Sequence, residues 1–268
     1  MTYNELKNYI VELVYNGVIT IEKLPEELFL YTYLKLRKGI DKFFGKVDFE
    51  NPDWEVKYQL ASNVYLFSGA KTYKNIWDLQ KAIMDNKGYK RSWSEFQEDA
   101  FKIFDTYNVN WLEAEFETAF ASAQQAAKWQ DIWRNRKELP LLKYQTVGDE
   151  RVRPSHQELD GIVRPVEDSF WNNFYPPNGF RCRCTVIQLA EDEEPITEVN
   201  EQKLRQWEAV LDPLFKMNSG KHKYIFDSRH TYFNANTLPS NLRTHFKVMR
   251  TKQFGFDIPL FFNPDKNG

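Results

Sequence analysis

"RVRPSHQELDGIVRPVEDSFWNNFYPPNGFRCRCTVIQL", Arg151 to Leu189, decides how this chain is read. It gathers both cysteines of the protein, a histidine, five arginines and a Pro-Pro-Asn-Gly turn into one stretch. Upstream of Pro140 apolar residues recur mainly at helical spacing, whereas this stretch consists of short extended runs cut by turn residues. The change predicts an α+β protein: a mostly helical N-terminal half followed by a small α+β domain with a short antiparallel sheet.

Working outward, Leu6, Tyr9, Ile10, Leu13 and Val14 mark a first helix that Gly17 ends. A second follows Leu24, with Pro25 suited to a first turn. "WEVKYQLASNVYLFSGA" and "TYKNIWDLQKAIMDN" read as two separate helices between Trp54 and Asn86. The next opens at Ser92 or Ser94, with Ser94 and Gln97 at capping-box spacing. The strongest helical segment runs from Trp111 to Lys137, rich in Ala, Glu and Gln, and breaks by Pro140. Beyond it, a hairpin is expected around Gly148-Asp149, strands in "GIVRPV" and "RCRCTVIQL", and a short helix in "TEVNEQKLRQWEAVLDPLF". The expected organisation is a helical domain over 1–140, an α+β domain over 141–215, and a basic, aromatic, irregular tail over 216–268.

A hydrophobic fraction of 42% allows a substantial core, and 16% aromatic content adds either large core residues or aromatic contact surfaces. Glu5, Lys7 and Glu12 interrupt the N-terminal apolar pattern, unlike a secretory signal, and no apolar run reaches membrane-spanning length. Two cysteines in a single C-x-C fit a reducing compartment, so the chain is expected in the cytoplasm when made. A net charge of −2 excludes a protein that coats nucleic acid with its whole surface. Locally, Lys221, Lys223, Arg229, Arg243 and Lys247 alternate with Tyr224, Phe226, Tyr232 and Phe233, a pattern suited to single-stranded nucleic acid or to an ordinary solvated face.

In an extended strand Cys182 and Cys184 share one face, opposite Arg181 and Arg183. With His156 they supply three donors for a tetrahedral zinc ion. The fourth would come from Asp149, Asp160, Asp168, His222, His230 or water. Two other readings use the same residues: small buried thiols beside a loop-fixing histidine, or a thiolate nucleophile activated by His156 and oriented through Asp160. Arg151, Arg153, Arg164, Arg181 and Arg183 nearly match Asp149, Glu150, Glu158, Asp160, Glu167 and Asp168 in number, which predicts an ion-pair lattice or a phosphate-facing patch. Phe170 and Trp171 are the expected apolar seal, and Gly161 and Asn178-Gly179 supply turns.

The order R-x-R-x-x-H, D-G, F-W and P-P-N-G-x-x-C-x-C over Lys143 to Leu189 resembles the signature of the phage head morphogenesis family, the Mu F-like minor capsid proteins of tailed phages and prophages. Arg151, Arg153, Asp160, Gly161, Trp171, Pro177 and Gly179 carry that motif, with His156, Cys182 and Cys184 at its polar positions. The resemblance implies a minor head protein made in the host cytoplasm and carried in the virion head. Portal and major capsid proteins would be its partners, DNA a further contact, and no membrane or small-molecule substrate is evident. It implies no catalytic activity and no certain cofactor, though metal binding, with zinc the leading ion, accords with the polar positions. The alternative is a metal-dependent hydrolase or nuclease built on His156, Cys182 and Cys184.

Overall fold

The computed structural model describes residues 1–233; Arg243, Lys247 and the prolines beyond them lie outside the described residues. Helices α1 (Tyr3–Tyr15), α2 (Glu26–Phe44), α3 (Trp54–Ala82), α4 (Trp93–Asp105) and α5 (Leu112–Asn135) come first. There follow β1 (Leu141–Gln145), α6 (Pro154–Gln157), β2 (Val163–Pro165), α7 (Phe170–Asn173), β3 (Thr185–Leu189), α8 (Glu201–Val210) and α9 (Ser219–His222). The helical-then-mixed order makes the protein α+β, as the sequence predicts.

The chain divides into two compact units. Among the described residues, the first takes 1–36, 62–116 and 230–233; the second takes 37–61 and 117–229. In the first, Leu6, Ile10, Val11 and Val14 of α1 meet Phe96, Ala100 and Phe104 of α4 and Ile76 and Leu79 of α3. Apart from the adjacent Ile10 and Val11, these positions recur every three or four residues within each helix, so each helix turns one apolar stripe inward. Thr2 and Glu5 form a capping box at the start of α1. Ser92 and Glu95 do the same for α4, which corrects the Ser94–Gln97 expectation; the box belongs to the residue that precedes the first helical turn.

Two further expectations change. The segment from Trp54 to Ala82 is one helix of 29 residues, because Ser68, Gly69 and Ala70 are small but contain no proline to break the hydrogen-bond ladder. The hairpin around Gly148 is absent. Gly148 turns the chain at φ +71, yet charged Asp149, Glu150 and Arg151 then offer nothing to pair with buried Leu142 and Tyr144. Strand β1 instead lies centrally, antiparallel to both neighbours in the order β2-β1-β3. Leu142 faces Arg164 and Gln188, and Tyr144 faces Val186.

In the second unit α5 covers this sheet. Lys128 Nζ donates to Thr185 Oγ1 at 3.0 Å, and Gln188 Nε2 donates to the carbonyls of Ile132 and Leu139 at 3.0 and 2.8 Å. Trp129, Ile132, Leu142, Leu159, Phe170, Trp171, Phe174, Tyr175 and Val186 form the core beneath it. Phe170 and Trp171 are therefore buried, as expected of a seal. Helix α2 approaches α5 closely at Gly39, where an added Cβ would sit 2.7 Å from the Phe120 backbone. Gly39→Ala gains helix propensity but forces two backbones apart, and the second effect wins. The expected outcome is a loss of about 1–3 kcal/mol in urea unfolding; an unchanged or raised midpoint would contradict that close approach.

Candidate metal centre

The site forms where the loop carrying α6 meets the turn before β3. Pro154 occupies the first turn of α6 and orients His156 inward, where it is 3% exposed. Cys182 and Cys184, each 7% exposed, precede β3 and are not part of it, which corrects the strand-alternation reading. Arg181 adopts a left-handed conformation at φ +60. Both thiols nevertheless converge on one ring atom: His156 Nδ1 lies 3.6 Å from Cys182 Sγ and 3.7 Å from Cys184 Sγ.

The other ring nitrogen, Nε2, lies 3.2 Å from the Asn178 carbonyl oxygen. A carbonyl only accepts, so this contact places the ring proton on Nε2 and leaves the Nδ1 lone pair directed at the sulfurs. The three donor atoms lie within 4.8 Å of one another. Zinc–nitrogen and zinc–sulfur bonds at a tetrahedral angle separate N from S by about 3.6 Å. The donor set and spacing therefore fit a thiophilic divalent ion, with the Asn178 carbonyl in the orienting role that metal-bound histidines usually need.

Electrostatics distinguish the two thiols. A hydrogen bond from Cys184 above all holds the Cys182 thiol well below its ordinary range despite burial. Cys182 and burial push the Cys184 thiol up. Without an ion the pair is best described as sharing one proton and one negative charge. A cation would relieve the constraint and allow both to ionise.

Asn178, itself 2% exposed, ties the surroundings together. Its Oδ1 accepts from the Tyr144 hydroxyl at 2.9 Å, and its Nδ2 donates to the carbonyls of Asn173 and Tyr175 at 3.3 and 3.4 Å. Tyr144 also lies within hydrogen-bonding reach of Cys184. The sequence pattern marks Asn178 only as a turn residue and does not single out Tyr144; the apolar character of β1 is the one signal that Tyr144 faces inward. Gly179 leaves room for Arg153, since a Cβ there would sit 3.3 Å from Arg153 Nη1 and 3.8 Å from His156 Cε1. Arg153 in turn donates to the Phe180 carbonyl at 2.7 Å. Pro177 follows a cis peptide bond in the same turn.

Of the proposed fourth donors, Asp149, Asp160, Asp168, His222 and His230 do not join the cluster of described residues. Asp160 Oδ1 instead accepts from the Thr146 backbone at 2.7 Å, and Gly161 beside it turns at φ +79. Asp168 pairs with Arg164 at 2.6 Å. Asp149 receives Arg183 through both carboxylate oxygens at 2.7 Å, with Arg151 farther off at 3.5 Å; Arg183 above all holds its carboxyl down to about 2. Arg181 pairs with Glu117, Glu158 with Lys203 and Glu167 with Arg136, so the lattice exists but reaches beyond the dense segment for partners.

The basic segment is also partly engaged. Lys223 pairs with Glu55 at 2.9 Å, Arg229 with Asp227 at 2.7 Å, and Lys221 donates to Asn172 Oδ1. Phe226, Tyr232 and Phe233 are buried, so they are not the free stacking faces that the alternation suggested.

Residues 74–187 match the family described as Phage Mu protein F like protein, a span that contains β1, β2 and all three candidate ligands. A Mu-like prophage FluMu F protein of Haemophilus influenzae is 39% identical over 70 residues, covering 26% of this chain and 17% of that protein. The "Putative capsid assembly protein F" of Escherichia phage Mu is 36% identical over 89 residues, covering 33% of this chain and 18% of that protein. An uncharacterised protein of Methanocaldococcus jannaschii is 43% identical over 49 residues, or 18% of this chain and 8% of that one. The matched region spans less than a fifth of each of these relatives. No solved structure matches.

Replacing Asn178 by Ala removes an acceptor of the Tyr144 hydroxyl and the amide donor to two carbonyls, leaving Cys184 as the partner of that hydroxyl. We expect a loss of about 2–4 kcal/mol in denaturant midpoint measurements, and a loss under 1 kcal/mol would show that water readily replaces the carboxamide.

Proposed function

We propose, on the premise that this chain carries a Phage Mu F-like region at residues 74–187, that it acts in capsid assembly of a tailed phage or prophage. The observation carrying this reading is that the Mu F-like match encloses the entire His156–Cys182–Cys184 centre and its scaffold. The phage Mu relative bears the name of a capsid assembly protein, and the chain's role would be the same in kind. Its finer form is a minor head protein that binds portal and major capsid protein, assembles in the host cytoplasm and remains in the head. No described helix is long and apolar enough to cross a membrane, so that reading requires no membrane step. Contact with packaged DNA would draw on Lys221, Arg243 and Lys247, because Lys223 and Arg229 are committed to acids.

A second reading concerns the centre itself and is favoured by the two near-equal nitrogen–sulfur distances. A zinc ion would be held by His156 Nδ1, Cys182 Sγ and Cys184 Sγ, with water or another donor in fourth place. When bound it would supply a cross-link between the α6 loop and the turn before β3. A catalytic zinc needs a position that substrate can reach. Donors at 3% and 7% exposure favour a structural ion over the hydrolase or nuclease alternative.

Co-expression of the chain with portal and major capsid protein, followed by sedimentation of the particles, tests the assembly role. The chain is expected to travel with procapsids; its complete exclusion from particles and from portal complexes would remove the proposal. For the centre, elemental analysis of purified protein should find about one zinc per chain. Combined Cys182→Ser and Cys184→Ser should abolish it and lower thermal stability, and zinc-free wild-type protein of unchanged stability would refute the second reading.

A further inference from the structure

A second buried polar constellation lies in the first unit and takes no part in the centre described above. Lys71 on α3 and Glu115 on α5 form an ion pair at 2.6 Å with side chains 1% and 4% exposed. Burying two charges is costly, and apolar residues of similar volume commonly serve stability as well or better. Stability alone is therefore a weak reason for the pair to be there. Its surroundings supply another.

Residues 230–233, where the chain re-enters the first unit, lie over this pair. Tyr232 hydrogen bonds to the Glu115 carboxylate. Its ring centroid lies 5.6 Å from Lys71 Nζ and 6.0 Å from the Tyr107 ring, at 27° to that ring. Phe67, one turn before Lys71, meets His230, Tyr232 and Phe233 at 4.9, 5.3 and 5.8 Å. The wall formed by Tyr107 has its own local device. Thr106–Trp111 is a π-helical turn between α4 and α5, and such turns are rare and frequently found at functional sites. Here it brings Tyr107 against Tyr232 while the Tyr107 hydroxyl donates to Asp78 Oδ2 at 2.6 Å. Tyr107 and Tyr232 phenols are both pushed far above their ordinary range, by burial first, so both remain protonated donors.

We propose that the helical unit carries a recognition seat for a tyrosine-bearing aromatic segment, filled by residues 230–233 of this chain, in which the buried Lys71–Glu115 pair reads the Tyr232 hydroxyl. The pair acts through specificity: a carboxylate aimed at one hydroxyl and an ammonium facing one ring accept Tyr and leave a buried acceptor underused when Phe replaces it. This inference is independent of the assembly role and of any metal.

Hydrogen exchange of the full-length chain, followed by mass spectrometry, tests it. The readable amide is that of Phe233, which donates to the His230 carbonyl at 2.8 Å. Tyr232→Phe removes one hydroxyl and keeps the ring. It should speed exchange across 230–233 about tenfold or more, with α1 and α4 unchanged. Combined Lys71→Met and Glu115→Leu should loosen the same segment while leaving the urea midpoint equal or higher. If Tyr232→Phe leaves exchange of the segment unchanged, the seat reads only apolar shape and the proposal fails. It fails equally if the double variant holds the segment as tightly as the parent.

Discussion

The Asn178 carbonyl bonded to His156 Nε2 is the contact on which the candidate centre depends. It determines which ring nitrogen carries the proton, and thereby which one can face the two sulfurs. The same residue holds Tyr144 of the central strand and the backbone of the turn that delivers Cys182. Sheet, turn and donor set thus share one buried amide. A change in the turn would alter all three, because Asn178 bonds to each of them.

This arrangement explains why the dense segment looks chemically charged yet presents little reactive surface. Its arginines and acids pair largely with partners outside the segment, such as Glu117, Asp149, Lys203 and Arg136, while its thiols and imidazole are buried. Exposed pairs of this kind contribute little stability individually. Their effect is to orient the loops on which the buried residues sit, as Arg183 does by gripping Asp149 through both oxygens.

Much of the fold was legible because helical stripes are local. The α1 stripe and the burial of Phe170 and Trp171 could be read from spacing and residue type, and His156 with both cysteines from residue type alone. Strand pairing was not, since Gly148 offers a turn whether or not a partner strand follows it; Leu142 and Tyr144 selected the more apolar β2 and β3 instead. The cysteines were expected on a strand, and they converge from a turn through Arg181's left-handed backbone. Lys71 carries no local signal of its burial, since its partner lies 44 residues away, beyond the reach of any local pattern.

The position of the centre also bears on how the molecule would open. The β1–β3 ladder closes at Gln145 and Thr185, and everything between them is an arch with only α6, β2 and α7 as regular structure. His156 meets the cysteines 26 and 28 residues further along, inside that arch. A clasp there divides one long excursion into shorter ones, and loop entropy rises only slowly with length. Opening the arch would therefore take more than parting these three side chains, because Leu159, Phe170, Trp171, Phe174 and Tyr175 within it belong to the second core and β2 is paired with β1.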